Sequence, residues 1–265
     1  MKILCVGDVV GQSGVNTLKS LLPRLKAKYK IDLCIVNGEN SAERNGITPR
    51  SAEELFSAGA DVITGGNHTL RHRDVFEHLE SNPFLLRPDN YPDTVPGSGY
   101  CLVDMGRTRA AVINICGVVY MEALDNPFFC VDKLIKRAKD DDCKIIIVDL
   151  HAEATSEKRA LGFYVDGRVS ALFGTHTHIQ TADEQILPNG TGYITDVGMT
   201  GSAESVLGVK KEIIINRMKN KIPERFENLR DGKMSLNAVL FDVDEKTGKT
   251  VSVQRISENT EGETK

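Results

Sequence analysis

Short apolar runs that end abruptly in glycine- and asparagine-rich exits constrain this chain most. Ile3-Leu4-Cys5-Val6 ends in Gly7-Asp8, Leu33-Cys34-Ile35-Val36 in Asn37-Gly38-Glu39-Asn40, and Val62-Ile63-Thr64 in Gly65-Gly66-Asn67-His68. Apolar runs without polar alternation belong to strands buried on both faces. Helix-length stretches separate them. One is expected from a Ser13 cap to about Lys28, with Pro23 kinking or dividing it. The next starts with Thr48 as cap and Pro49 as first residue, with Glu53 and Glu54 in its early turns. Such βαβαβ alternation predicts a parallel sheet with right-handed crossovers.

The middle of the chain changes character. Tyr100–Met105 and Ala110–Ile115 flank a turn at 106–109, Gln185–Leu187 and Tyr193–Asp196 flank 188–192, and Ala238–Val243 and Val251–Ile256 flank 244–250. Each reads as a hairpin. A helix from about Asp132 to Lys139 leads to the apolar strand Lys144–Leu150, and Ala171-Leu172-Phe173 precedes Gly174-Thr175-His176. Parallel units plus hairpins predict an α/β sandwich of two packed mixed sheets flanked by helices (α/β/β/α). The expectation is one domain over 1–257, followed by a polar tail at 258–265.

Composition narrows the classes of function. With 33 Lys and Arg against 37 Asp and Glu, the net charge of −4 disfavours extended nucleic-acid binding. The absence of Trp and 6% aromatics leave little for a base-stacking platform. None of the six cysteines forms a C-x-x-C pair, and four lie in or beside apolar runs, so buried free thiols in a reducing cytoplasm are expected. No leader and no membrane span is expected.

Asp8, Glu39, Asn67, His151 and His176 each fall within four residues after an apolar run. Sites in α/β folds gather just past the carboxyl ends of strands. Each residue also has a plain reading, as an Asx turn or a solvated loop. In His176-Thr177-His178, an extended loop would point both rings the same way. His72 and His78, in a polar stretch with Arg71, Arg73, Asp74 and Glu77, read as surface residues of one helix, with His72 supporting His68 as the lesser alternative.

Gly7-Asp8-Val9-Val10-Gly11, Asn37-Gly38-Glu39-Asn40, Gly66-Asn67-His68, the segment His151–Lys158 and Gly174–Asp183 together resemble the calcineurin-like metallophosphoesterases, specifically their bacterial YmdB-type branch. The similarity runs from Met1 to about Ile256. Val10 stands where the wider superfamily has a histidine, and Glu39 where it usually has aspartate, so Asn40 is the oxygen donor available to replace the lost imidazole. The resemblance implies one metal held by Asp8, Glu39, Asn40 and His178, and a second by the bridging Glu39 with Asn67, His151 and His176. It implies His68 as the general acid, and iron or manganese as the metals. Mixed oxygen and imidazole ligation without thiolate also fits zinc. Arg87, Lys158 and Arg168 are candidate phosphate contacts that read equally as surface charges.

Charge favours a phosphodiester. Two divalent ions contribute +4 against −2 from Asp8 and Glu39, and a bridging hydroxide leaves +1 for one diester anion. The expected activity is hydrolysis of cyclic nucleotides, with 2′,3′-cyclic forms implied by the family, through attack by that hydroxide. Phosphomonoester hydrolysis is the competing enzymatic reading. A metal-binding regulator acting through partners is the reading from another class, and a homo-oligomer is compatible with the apolar surface available.

Overall fold

The computed structural model describes residues 1–260. In chain order the elements are β1 (Lys2–Val6), β2 (Asp8–Val9), α1 (Gly11–Tyr29), β3 (Leu33–Asn37), α2 (Pro49–Ala58), β4 (Val62–Thr64), α3 (Phe76–Ser81), β5 (Tyr100–Asp104), β6 (Arg109–Cys116), α4 (Pro127–Asp140), β7 (Ile145–His151), α5 (Thr155–Val165), β8 (Ala171–Thr175), β9 (Gln185–Ile186), β10 (Gly192–Ile194), β11 (Met199–Ser202), α6 (Lys211–Asn220), β12 (Met234–Val243) and β13 (Thr250–Asn259).

Two mixed sheets result. In the first, β1, β3 and β4 are parallel, and β12 runs antiparallel to β1. Residues 238–242 of β12 pair with β1, 234–236 pair with β11, and 235–243 pair with β13. In the second, β6, β7, β8 and β10 are parallel, with β5 and β9 antiparallel at the edges.

Strand periodicity explains the uninterrupted apolar runs. Along β1, Ile3 and Cys5 face the other sheet, and Leu4 and Val6 face the helices. Along β3, Leu33 and Ile35 face inward while Cys34 and Val36 pack under α1 and α2. The inter-sheet layer is completed by Val112, Ile147, Phe173 and Phe241, and α4 and α5 cover the far sheet through Val131, Leu134 and Leu161. Helix, sheet, sheet and helix therefore stack as expected. All six cysteines are free and buried.

Several boundaries differ from the sequence reading. Helix α1 begins at Gly11, capped by the backbone of Val10 without a side-chain bond, so Ser13 lies inside it. Ser13 instead gives its hydroxyl proton to Leu229 O at 3.3 Å. Pro23 sits within the helix without dividing it. Thr48 and Pro49 cap α2 as the pattern requires. Helix α4 starts earlier than Asp132, because Asn126 accepts from Phe128 N and Pro127 supplies the first turn. Strand β13 runs to Asn259, past the expected start of the polar tail, and residues 261–265 lie outside the described part. Among the described residues no helix is long and apolar enough to cross a membrane.

Candidate metal centre

The parallel strands of both sheets deliver their carboxyl ends to one edge of the sandwich. Asp8 follows β1, Glu39 and Asn40 follow β3, Asn67 and His68 follow β4, His151 ends β7, and His176 and His178 follow β8. These eight residues converge. Asp8, Glu39, Asn40 and His151 form a buried floor, while Asn67, His68, His176 and His178 reach a cleft open to solvent.

Two groupings share Glu39. In the first, Nδ2 of Asn40 lies 3.4 Å from Asp8 Oδ1, 2.9 Å from Glu39 Oε1 and 3.1 Å from His178 Nε2. In the second, His151 Nε2 lies 3.2 Å from Glu39 Oε1, 3.0 Å from Asn67 Oδ1 and 3.0 Å from His176 Nδ1. One nitrogen or oxygen from each of Glu39, His151 and His176 fits within a 4.8 Å span. His68 borders both groupings, with Nδ1 at 3.3 Å from Glu39 Oε1 and 3.2 Å from Asn40 Oδ1.

The outward-facing nitrogen of each ring tests whether these donors suit a cation. His151 Nδ1 donates to Thr175 Oγ1 at 2.9 Å, because that hydroxyl gives its own proton to Asp149 Oδ1 at 2.8 Å. His176 Nε2 donates to the Glu153 carboxylate at 3.1 Å, and His178 Nδ1 to Leu207 O at 3.2 Å. Each neutral ring therefore turns a lone pair toward the cluster, the arrangement that metal-ligating histidines require. Lone pairs of His151, His176, Asn67 and Glu39 repel one another unless a proton or a cation lies among them. Carboxylate, amide and imidazole donors without thiolate fit two divalent ions. Asn40 is the exception in orientation: it turns its NH₂ to three acceptors, so ligation through Oδ1 requires the amide to flip.

Electrostatics without a cation follow from the same geometry. Burial opposes ionisation of Glu39, yet His151 and His68 hold its pKa well below the ordinary value. Asp8 is lowered too, against its burial, chiefly by His178. Burial disfavours charge on His151, but Glu39, Asp8 and Asp149 outweigh it and raise its pKa to about 9. Burial, reinforced by charged His151, pushes His176 down to about 4. A metal requires neutral imidazole, so uptake near pH 7 is expected to expel about one proton from His151. Calorimetric titration with manganese in buffers of different ionisation enthalpy measures this. Release must fade as pH rises past the His151 value of about 9, and a pH-independent count would contradict it.

The groups that hold the candidate ligands were largely missed by the sequence reading. Asp149 is fully buried, and burial raises its pKa to about 6 despite bonds from Thr64 at 2.5 Å, Thr175 and Asn37. An acid inside the apolar run 145–150 was the available signal. The His-x-His segment is not extended: His176 and His178 have φ of 100° and 65°, and their rings enter different groupings. Left-handed non-glycine residues cost on the order of 1–3 kcal/mol each and persist where surroundings enforce them. Here His176 N donates to Asp8 Oδ2 at 3.1 Å, while Thr177 N and Oγ1 donate to Asp196 Oδ2.

The candidate phosphate contacts lie elsewhere. Lys158 is buried against Asp196 at 2.7 Å, and Arg87 is buried donating to the carbonyls of Pro88, Val95 and Pro96. Arg168 pairs with Asp132. His72 is not stacked on His68, because 3-10 turns at Thr69–Arg71 and Arg73–Val75 replace the expected helix and His72 itself is extended. Its Nε2 donates to Asn45 O at 2.9 Å.

Four layers with an oxygen-and-imidazole cluster at one shared edge place the chain among the metallophosphoesterases. It belongs to the family of YmdB-like proteins, whose family model matches residues 4–256. The chain is 47% identical over 256 residues to the 2′,3′-cyclic-nucleotide 2′-phosphodiesterase of Bacillus subtilis (strain 168), covering 97% of this chain and 96% of that protein. The crystal structure of a novel phosphatase from Mycoplasma pneumoniae superposes with a TM-score of 0.92 at 36% identity, covering 99% and 95% of the two chains. That of a hypothetical protein from Thermus thermophilus gives 0.90 at 37% identity, covering 98% and 99%.

Proposed function

We propose that this hydrolase of phosphate esters is a two-metal phosphodiesterase that opens 2′,3′-cyclic nucleotides. One metal would be held by Asp8, Glu39, Asn40 and His178, and the other by Glu39, Asn67, His151 and His176. Iron or manganese is the proposed occupant, with zinc as the alternative. The observation that carries the reading is the inward convergence of lone pairs from rings whose outward N–H groups are already engaged. The name of the Bacillus subtilis relative supports the substrate class.

When bound, two divalent ions would neutralise phosphoryl charge and make hydroxide available near pH 7. The protein's own part is to orient the diester and to manage one proton. His68 is the proposed acid for the departing sugar oxygen, since it lines the cleft beside both groupings without completing either.

Hydrolysis of 2′,3′-cyclic AMP by metal-stripped protein, resupplied with manganese or iron, tests the reading beside an Asp8→Ala control. Restored turnover that the control lacks is the expected result. Tight binding of two metals without turnover would overturn the substrate assignment, and no metal binding would overturn the site. The phosphatase description of the Mycoplasma relative favours a second reading, monoester hydrolysis. Faster cleavage of 3′-AMP than of the cyclic diester would establish it.

A further inference from the structure

Opening a 2′,3′-cyclic phosphate differs from cutting a linear diester, because the departing oxygen stays on the ribose. Water oxygen adds to phosphorus, the P–O2′ bond breaks, and O2′ takes the proton that His68 gives. The water's own proton is lost to solvent or restores His68. With His68 as the acid the ribose would sit on the His68 side, so the group on its 5′ oxygen would be carried toward the rim there.

The rim there is a built feature. Arg44, Asn45 and Gly46 are three consecutive left-handed residues, with φ of 65°, 67° and 89°. This strained loop is locked to the segment following His68: His72 Nε2 donates to Asn45 O at 2.9 Å. A Cβ on Gly46 would stand 2.7 Å from His72 Cδ2 and 3.0 Å from Arg71 Cβ, so glycine permits the approach. The result presents Arg44 and Arg71 to the same cleft as His68.

The other charges of that cleft are mostly engaged. Lys210 pairs with Glu227, Arg230 with Glu43, and Glu153 with His176. Arg44 and Arg71 have no carboxylate within ion-pair distance among the described residues, and neither does Arg225, which lines the same cleft and follows α6 in the chain. The cleft measures about 1240 Å³, beyond the ~300–1,000 Å³ usual for a drug-sized ligand.

We infer that Arg44 and Arg71 form a second anion subsite for a phosphate on the 5′ side of the cyclic end. This rests on the phosphodiesterase reading above and refines it: the preferred substrate carries a 5′ phosphate, as the 3′-terminal residue of an oligoribonucleotide does. The close packing of the 44–46 loop against Arg71 and His72 keeps the backbones that carry the two arginines together at the cleft, and planar guanidinium forks match phosphate oxygens.

Three substrates separate the sources of that phosphate: 2′,3′-cyclic AMP, its 5′-phosphorylated form, and the dinucleotide ApA ending in a 2′,3′-cyclic phosphate. For the metal-loaded protein, kcat/KM is expected to be about 10- to 100-fold higher for the last two than for the first. In Arg44→Ala and Arg71→Ala proteins the ratio should fall toward one. Because the ratio is taken within one preparation, a loss of folded protein does not imitate the effect. Preference for the dinucleotide over the 5′-monophosphate identifies an oligonucleotide end as the fuller ligand, and equality of the two identifies the phosphate alone. Equal turnover of all three by the unaltered protein, or a ratio that survives both substitutions, overturns the subsite. Cleavage of none overturns the phosphodiesterase reading as well.

Discussion

Lys158→Ala is expected to lower stability by about 3–5 kcal/mol and to weaken metal binding together with it. Lys158 is fully buried, and its Nζ donates to Asp196 Oδ2 at 2.7 Å and to Thr175 O at 2.8 Å. Removing the ammonium leaves Asp196 charged and buried without its counter-ion. The consequence reaches the site because the same Asp196 oxygen accepts from Thr177 N at 3.1 Å and Thr177 Oγ1 at 2.8 Å. Those bonds hold the residue between His176 and His178 while both keep left-handed backbones.

A second variant separates stability from positioning. Lys158→Met with Asp196→Leu removes both charges, and replacing a buried ion pair by apolar groups often restores stability. The double variant should regain much of the lost melting temperature while metal affinity stays low, since nothing replaces the acceptor for Thr177. Full recovery of metal affinity would show that the loop holds its shape without Asp196. The measurements are thermal unfolding and manganese titration on the same preparations.

That role was not visible in the sequence, and the reason is general. A lysine following His151 by seven residues reads as solvated, because burial of ammonium requires a specific carboxylate that arrives from 38 residues further along. Arg87 escaped for a similar reason: its partners are backbone carbonyls, which leave no side-chain pattern. What was legible depended on local rules. Runs such as Ile3–Val6 and Leu33–Val36 needed burial on both faces, and Thr48-Pro49 could start a helix wherever it lay. The exits of those runs had to meet, because parallel strands share one carboxyl end. The sequence therefore indicated which residues would gather. The division of His176 and His178 between two groupings came from the family resemblance and not from local rules, which predicted an extended loop, since backbone torsions in a loop are set by tertiary partners such as Asp8 and Asp196.

His68→Ala carries the largest expected effect on turnover, a loss of about 10²- to 10⁴-fold in kcat, with metal content retained. Retention follows from where the residue makes its bonds. Its backbone N–H donates to Glu39 Oε2 at 2.9 Å, an interaction that survives truncation of the ring. The imidazole's contacts at 3.3 Å to Glu39 and 3.2 Å to Asn40 are lost, but Glu39 Oε1 keeps Asn40 Nδ2 at 2.9 Å and His151 Nε2 at 3.2 Å. The role as acid has a sharper signature than the loss itself. A diester with a nitrophenolate leaving group departs without needing a proton, whereas a ribose hydroxyl does need one. The variant should therefore lose far less activity on bis(p-nitrophenyl) phosphate than on 2′,3′-cyclic AMP. Equal losses on both would make His68 a positioning group for phosphate, and a parallel loss of metal would make it part of the ligand set.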